Sequence, residues 1–252
     1  MKISFNGALV DIETTPCTPT GWLQGHGIFE TLRTVNGVAY AYSRHIQRAI
    51  KNAQIADINL PDLKLVSQSV GEVIEAEPHP DGLLRISFDS NGQWAVVHLP
   101  YQPQNKPATV RIHPDHHAIN RQMIKSYPYG HRLAILKEAK LLGFDEALVC
   151  NIHGNICEGA VSNVIMKIDG RWVTPPTSDG ILPGIMRELV IEYCGVSVES
   201  IPESRIAEVD AAILLSSLRI SQPVASIEGR ELESSQAFSN EIQAMVILHS
   251  LG

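Results

Sequence analysis

Three stretches of the sequence are most informative when they are read together: IKSYPYG (124–130), ICEGAVSNV (156–164) and DGILPGIMR (179–187). The first carries Lys125 between apolar neighbours, and the second places Glu158 before two small residues. The third is a glycine-proline turn that opens a helix, and a helix N-terminus can bind a phosphate group. A lysine amine can bond covalently to a carbonyl carbon, and a carboxylate can keep a ring nitrogen protonated.

These three features are the parts needed to hold pyridoxal 5′-phosphate. Lys125 would form the Schiff base, Glu158 would pair with the pyridine nitrogen, and the helix start would take the phosphate. Apolar neighbours partly desolvate the Lys125 ammonium, which lowers the pKa of a lysine. Each feature also has an ordinary alternative, namely a surface lysine, a glutamate in a turn and a common helix start.

Polar residues beside these three extend the predicted site. Tyr129 can hydrogen-bond the phenolate oxygen of a bound pyridoxal, although packing is the alternative for both Tyr127 and Tyr129. Ser162 and Asn163 begin a strand, where they either cap it or brace Glu158. An arginine on the first predicted helix, Arg48, suits a phosphate because its guanidinium donates two parallel hydrogen bonds.

Composition excludes several classes of protein. The chain has 252 residues, a hydrophobic content of 44% and a net charge of −7, so we expect a globular protein without the basic face that binds nucleic acid. No apolar run is long enough to cross a membrane. Asp11 and Glu13 interrupt the segment where a signal peptide needs its apolar region. The four cysteines form no CxxC pair, so reduced thiols in a cytoplasmic enzyme are expected.

Element patterns predict an α+β fold in two halves of similar size. Strands that meet at Asn6-Gly7, Asn36-Gly37 and Asn91-Gly92 turns, with a helix capped by Ser43 and a second helix over 63–76, predict an N-terminal domain at 1–103. A linker is expected at 104–107, at the end of the segment PYQPQNKP (100–107) with its three prolines, and a C-terminal domain covers 108–252. Regular βαβ alternation is lacking, so a doubly wound sheet is not expected.

The chain resembles the class IV aminotransferases, the fold-type IV pyridoxal phosphate enzymes. This family includes branched-chain and D-amino-acid aminotransferases and 4-amino-4-deoxychorismate lyase. The matching segments lie in the family's order along almost the whole chain: FNG at 5–7, GHGIFETLR at 25–33, HIQR at 45–48, Lys125, GFDEALV at 143–149, CEGAVSN at 157–163, TPP at 174–176 and ILPGIMR at 181–187. The resemblance implies a small N-terminal α/β sandwich and a β-barrel-like C-terminal domain that binds the cofactor.

The resemblance also assigns roles to residues. It implies that Lys125 is the Schiff-base lysine and proton-transfer base, and that Glu158 pairs with the pyridine nitrogen. Arg48 and the backbone amides of Ile185 and Met186 would bind the phosphate. Many members have threonine in place of Met186, so one hydroxyl contact is missing here. Tyr129 matches a tyrosine that often follows the lysine, and a second phosphate loop is expected at Ser216 or Ser217.

Two reactions remain open, because the family shares one cofactor machinery. The segment LLSSLRISQPVASIEGREL (214–232) resembles the loop of the lyase-like members, which favours the lyase that makes p-aminobenzoate, a folate precursor. A substrate with two carboxylates would need two cations. Arg85 and Arg219 are candidates, and Arg33 is a weaker one. A structural role is the alternative for each of the three. His26 either faces the pocket or caps its turn. Tyr129, in contrast, resembles the aminotransferases, so an amino-acid aminotransferase is the alternative.

The expected partners are a small amine or carboxylate substrate and a second copy of the chain, since the family is typically homodimeric. A non-enzymatic binding protein on the same fold is the other alternative, which intact Lys125 and Glu158 disfavour. We expect no metal. His113, His116 and His117 lie near Asp115, but without a second cluster to complete a tetrahedral set they are interpreted as a polar loop.

Overall fold

The structure of the protein is a computed structural model that describes residues 1–117 and 123–250. Its α-helices are α1 (Tyr42–Ala56), α2 (Leu63–Ala76), α3 (Gly130–Leu141), α4 (Ile185–Tyr193) and α5 (Gln236–His249). Its strands are β1 (Lys2–Phe5), β2 (Ala8–Asp11), β3 (Gly27–Val35), β4 (Val38–Ala39), β5 (Asp81–Asp89), β6 (Trp94–Pro100), β7 (Ala108–His117), β8 (Ser126–Tyr127), β9 (Glu146–Asn151), β10 (Asn155–Gly159), β11 (Asn163–Ile168), β12 (Arg171–Thr174), β13 (Ser197–Val198), β14 (Ile201–Pro202), β15 (Ala211–Ser216), β16 (Ile220–Ile227) and β17 (Arg230–Glu231). The mixed α and β content confirms the predicted fold class.

The chain forms two compact units whose boundaries differ from the predicted ones. The first contains Met1–Pro103, Ile124–Pro128 and the chain end from His249, and the second contains the other described residues. The segment 124–128 was expected in the C-terminal domain. It joins the first unit instead because β8 pairs with β3, with Gly27 opposite Tyr127. A two-residue strand has no periodicity of its own, so sequence patterns could not reveal this pairing.

In the first unit, a sheet is covered on one face by two helices. The strand order is β2-β1-β6-β5-β3-β4, with β8 paired to β3. Side chains alternate along a strand, so Ile28 and Leu32 of β3 point towards the helices. There they join a buried core with Ala49 of α1 and Val66 of α2. The other face of β3 carries Phe29, which therefore lies outside this core.

In the second unit, a larger sheet is built around its own core. The strand order is β13-β12-β11-β15-β16-β7-β9-β10-β14, and β7 is parallel to both β9 and β16. Every residue of β9 is buried, with Leu148 in the main core and Val149 packed against α3. A strand covered on both faces reads as a continuous apolar run, which is why EALVCN was recognisable as a strand.

Three local predictions were wrong. Ser43 does not cap α1, which begins at Tyr42 after Ala41 in a left-handed conformation and has no side-chain cap. The strand expected near 196–201 consists of the separate short strands β13 and β14. The histidine-rich segment at 113–117 is not a loop, because it continues β7 alongside β9. Across the described residues, none of the helices combines the length and apolar character needed to span a membrane.

Candidate active site

Lys125 lies at the edge of the first unit's sheet, directly before β8. Its carbonyl accepts a hydrogen bond of 2.9 Å from the Phe29 amide, which continues the pairing of β8 with β3. The Lys125 Nζ lies 4.6 Å from the centre of the Phe29 ring. An ammonium over an aromatic face is held there by cation–π attraction. The sheet thus fixes where the lysine stands.

Arg48 is buried on α1 and is held by a carboxylate that the sequence did not reveal as its partner. Its Nε donates to Glu30 Oε1 at 2.9 Å, and its Nη2 donates to Glu30 Oε2 at 2.6 Å. His45, one turn earlier on the same helix face, lies with Nδ1 2.6 Å from Glu30 Oε2. Glu30 comes from the helix-facing side of β3, between Ile28 and Leu32. In the sequence, Glu30 stands where the strand pattern places a buried apolar residue, and a carboxylate at such a position indicates a buried cationic partner.

The Glu30 carboxylate gives stability a pH dependence. Burial raises the Glu30 pKa, but Arg48 and His45 outweigh burial and lower it from 4.5 to about 2. A carboxyl group whose pKa is lower in the folded than in the unfolded state stabilises the fold above pH 4.5. This contribution of roughly 3 kcal/mol is lost as the pH falls towards 2. We therefore expect Glu30→Gln to be destabilised by about this amount at pH 7, with a smaller difference at pH 3, as measured by urea unfolding. A difference that stays constant over this range would contradict the assignment.

Glu158 lies on β10 in the second unit, is buried, and accepts hydrogen bonds on both oxygens. Arg132 Nη2 donates to Oε1 at 2.6 Å. Asn163 Nδ2 and the Leu182 amide donate to Oε2, each at 3.0 Å. Asn163 therefore braces the glutamate, one of the two roles predicted for it, whereas Ser162 turns away and donates to Glu146 at 3.2 Å. Arg132, on the first turn of α3, was missed because nothing in the sequence links it to Glu158.

The same asparagine ties Glu158 to the N-terminus of α4. Asn163 Nδ2 also donates to the Leu182 carbonyl at 3.0 Å, just before the helix begins. Gly184 is the N-cap of α4 and provides no side-chain cap, so the amides of Ile185 and Met186 have no partner inside the helix. Free amides at the positive end of a helix dipole are suited to an anion such as phosphate.

Gly184 is needed because Asn163 occupies the space of a side chain there. A Cβ at position 184 would overlap Asn163 Oδ1. We expect Gly184→Ala to displace Asn163 from Glu158, to cost about 1–3 kcal/mol of stability and to weaken cofactor binding. Gly71→Ala on α2 is the matched control, because a Cβ there meets no atom within 4 Å and alanine favours a helix. Urea unfolding and cofactor titration of both variants would test this, and equal behaviour would contradict it.

The other predicted cofactor residues also lie in the second unit. Tyr129 is the half-buried N-cap residue of α3, and Ser217 is half-buried in the turn after β15. Ser216 Oγ accepts a hydrogen bond of 3.2 Å from the Arg219 amide, so it shapes that turn. In the first unit it is Tyr127, rather than Tyr129, that packs against the lysine's aromatic neighbour, at 6.5 Å between the ring centres of Tyr127 and Phe29.

Two of the three arginines proposed as substrate ligands form ion pairs with carboxylates of the protein. Arg219 Nη1 donates to Glu146, a fully buried carboxylate, at 2.9 Å. Arg33 pairs with Asp81 at 2.5 Å. Both contacts correspond to the structural role that the sequence left open. The His26 side chain is exposed, and its carbonyl accepts a hydrogen bond from the Ser90 amide, which extends the pairing of β3 with β5.

Arg85 behaves differently from the other two arginines. It lies on β5, its guanidinium stacks 3.9 Å from the centre of the Trp22 ring, and its Nη1 donates to the Thr20 carbonyl at 2.6 Å. Its Nε is buried and has no hydrogen-bond partner among the described residues. Burial lowers its pKa to about 10, so Arg85 stays a cation at neutral pH.

Taken unit by unit, these residues fit pyridoxal phosphate. The first unit supplies a lysine amine fixed on the sheet and a buried arginine, Arg48, whose Nε and Nη2 are held by Glu30. The second supplies a buried carboxylate joined through Asn163 to the uncapped start of α4. An amine, a carboxylate and phosphate ligands are the groups that this cofactor requires.

Comparisons with known proteins agree with this chemistry. Residues 27–227 match the family model described as amino-transferase class IV. A putative branched-chain-amino-acid aminotransferase of Methanocaldococcus jannaschii is 25% identical over 94% of this chain and 91% of its own length. An aminodeoxychorismate lyase of Bacillus subtilis is 26% identical over 75% of this chain and 72% of its own length.

A solved structure has the same fold. The branched-chain aminotransferase of Thermoproteus uzoniensis matches with a TM-score of 0.87 and 24% identity, covering 98% of this chain and 95% of that one. The fold-type IV architecture predicted from the sequence is thereby confirmed. The family match extends over most of the chain, including the segments that carry Lys125 and Glu158. The chain therefore belongs to the class IV aminotransferases and is a pyridoxal-phosphate-dependent enzyme.

Proposed function

We propose that this enzyme is a 4-amino-4-deoxychorismate lyase, which releases pyruvate and leaves p-aminobenzoate. The observation that carries the proposal is the character of the sheet face beside Lys125. Phe29 packs edge-on against Trp22 with 4.8 Å between the ring centres, and Tyr127 lies 6.1 Å from Trp22. Arg85 adds a cation stacked on the same Trp22 ring. Aromatic walls with one buried cation suit a substrate that has a flat ring and a carboxylate.

Polar atoms without partners on this face support the proposal. Arg85 Nε, Ser87 Oγ and Tyr127 Oη are buried and make no hydrogen bond within the described residues. Arg85 and Ser87 are two apart on β5, so their side chains share a face. A buried polar group without a partner costs roughly 1–3 kcal/mol. A hydroxyl or carboxylate of a bound substrate would provide the missing partners.

The proposed chemistry assigns one task to each residue. When bound, pyridoxal phosphate supplies a carbonyl carbon for the substrate amine and a ring that takes up negative charge. Lys125 Nζ accepts the proton from the substrate carbon that bears the amine, because a positioned amine is an effective base. The Glu158 carboxylate would keep the ring nitrogen protonated, and Asn163 holds that carboxylate in place. Arg48 and the amides of Ile185 and Met186 would bind the phosphate, as the family resemblance implies.

An amino-acid aminotransferase is the second candidate. It is favoured by the ion pairs of Arg219 and Arg33, which leave Arg85 as the one candidate arginine without a carboxylate partner among the described residues, whereas the lyase substrate has two carboxylates. Relatives of similar length are also named as aminotransferases. The same lysine, glutamate and phosphate ligands would serve both reactions.

A substrate comparison on the purified holoenzyme separates the two candidates. One sample receives aminodeoxychorismate, and the appearance of both pyruvate and p-aminobenzoate is followed. A second receives D-alanine or a branched-chain amino acid with 2-oxoglutarate, and glutamate is measured. We expect rapid turnover of the first sample. Rapid turnover of the second with none of the first would replace the lyase proposal by the aminotransferase.

Substitution of Arg85 tests its proposed role in binding the substrate carboxylate. We expect Arg85→Met to raise KM by roughly 10- to 100-fold, because a charge-assisted hydrogen bond to the substrate is worth about 1.5–3 kcal/mol. Arg219→Gln is the comparison variant, and should lower stability with a smaller effect on KM because it unpairs the buried Glu146. Steady-state kinetics and urea unfolding of both variants are the measurements. The opposite ranking of KM would refute the role of Arg85.

We also propose that the enzyme is a cytoplasmic homodimer, as the family resemblance implies. The unpaired thiols of Cys17, Cys150, Cys157 and Cys194 are compatible with a reducing compartment. Light scattering of the holoenzyme should give twice the chain mass of 27.6 kDa. A mass equal to that of one chain would exclude the dimer.

A further inference from the structure

Three side chains that can bind metals converge at one end of the second unit's sheet. They are His116 at the end of β7, Cys150 on β9 and Glu203 directly after β14. One donor atom from each lies within 4.8 Å of the other two. The His116 Nε2 and the Glu203 Oε2 are 3.2 Å apart. The sequence did not predict this cluster, because its members are far apart in the chain.

Strand pairing and one backbone hydrogen bond bring the three residues together. His116 is opposite Cys150 in the parallel β7–β9 pair, after a bulge between Ile112 and His116. Bulges commonly redirect a side chain from its regular alternation. Glu203 is fixed from the other side, since its amide donates to the Gly154 carbonyl at 2.8 Å in the hairpin between β9 and β10. The backbone around the cluster is therefore already ordered.

We propose that His116, Cys150 and Glu203 bind a divalent transition metal, with Zn²⁺ the best match. Imidazole nitrogen, thiolate sulfur and carboxylate oxygen are the three zinc donors found in proteins. Zinc–nitrogen and zinc–oxygen bonds of about 2.0–2.2 Å at a tetrahedral angle place those donors roughly 3.3–3.5 Å apart. The 3.2 Å between His116 and Glu203 is close to this spacing. Three protein ligands leave the fourth position for water.

Charge and burial also fit a metal at this position. Cys150 is fully buried, while His116 and Glu203 have about two fifths of their side chains exposed, so an ion can enter from solvent. A cysteine thiol must lose its proton to bind a metal. Binding forms the metal–sulfur bond and releases that proton to water. One thiolate and one carboxylate then neutralise the two positive charges of the ion.

The proposed site would tie the end of β7 to β9 and to the turn after β14. It lies apart in sequence from the residues assigned to the cofactor, and its role is structural in this proposal. Metal that binds only the folded state stabilises it by mass action, so metal at about 100 times Kd should raise Tm by roughly 5–10 °C. Loss of any one ligand should remove most of this shift.

Cobalt titration of the holoenzyme tests the proposal. After treatment with a chelator and dialysis, Co²⁺ is added and its ligand-field bands are followed at wavelengths longer than those the cofactor absorbs. We expect one Co²⁺ per chain, displaced by Zn²⁺, with the bands lost in Cys150→Ser. Glu203→Gln, at a half-exposed position where misfolding is not expected, should weaken binding at least tenfold.

Two control variants show whether these three residues are the ligands. Cys157→Ser removes a buried thiol that donates to the Asp179 carbonyl at 3.1 Å and is outside the cluster. His117→Ala removes the histidine next to His116, and the His117 ring makes an edge-to-face contact with His131 instead. Both should bind Co²⁺ like the wild type. Binding that survives Cys150→Ser, binding that is lost in His117→Ala, or failure to bind one ion per chain would overturn the proposal.

Discussion

Lys125→Ala is expected to abolish the covalent attachment of the cofactor and to reduce turnover by at least about 10³-fold. By the proposed assignment, the substitution removes both the amine that anchors the cofactor and the base that moves the proton, and each of these roles is worth roughly 10²- to 10⁴-fold. It deletes no buried packing group of the core, because Lys125 is only partly buried and its backbone pairing to Phe29 is retained. The fold should therefore survive.

Absorbance and kinetics check this expectation. The visible band of lysine-linked cofactor should be missing from Lys125→Ala, while its circular dichroism spectrum matches that of the wild type. Lys140→Ala on α3 is the matched control, because that lysine is exposed, and it should keep both the band and the activity. A Lys125→Ala protein with the unchanged band would show that another amine holds the cofactor.

Glu158→Gln is expected to lower turnover by roughly 10²-fold or more, because a neutral amide cannot keep the ring nitrogen protonated. The amide is nearly the same size, so the hydrogen bonds from Asn163 and Leu182 can persist on its oxygen. The variant loses the negative charge facing Arg132. The expected defect is therefore electronic, and cofactor binding should weaken less than turnover.

Nitrogen-15 NMR of ring-labelled cofactor distinguishes this electronic defect of Glu158→Gln from general damage to the site. We expect a protonated ring nitrogen in the wild type and an unprotonated one in Glu158→Gln. Arg132→Gln keeps the carboxylate and should keep the nitrogen protonated, which separates the charge of Glu158 from the loss of its ion pair. Glu241→Gln on the exposed side of α5 serves as a neutral control. A protonated nitrogen in Glu158→Gln would show that another residue pairs with the ring.

Local signals made much of the fold predictable. Helix α2 has the predicted bounds, because Asp62 caps its first turn and prolines follow its end. Strand β3 also has the predicted bounds, since a turn at Asn36-Gly37 ends it. Features set by distant pairing could not be seen. One is β8, which forms through its pairing with β3. Another is the extension of β7 to His117, which pairs in parallel with β9.

The candidate site likewise has parts that the sequence predicted and parts that depend on distant pairing. Family motifs predicted roles for the lysine, the glutamate and the phosphate ligands, and these roles stay predictions. Of the two roles that the sequence left open for Asn163, the structure shows the contact with Glu158. The partners that orient these groups were missed. Glu30 lies 18 residues from Arg48 in the chain, and Arg132 lies 26 residues from Glu158. Such pairs follow from tertiary packing, which a single sequence does not encode at fixed spacing.

Reductive trapping of the holoenzyme tests the central claim that Lys125 carries the cofactor. Borohydride converts the lysine–cofactor link into a stable secondary amine, and proteolysis with mass spectrometry then locates the labelled residue. We predict a single phosphopyridoxyl group on Lys125, in the peptide that contains IKSYPYG. The label on any other lysine, or an unlabelled Lys125 in fully loaded enzyme, would contradict the account.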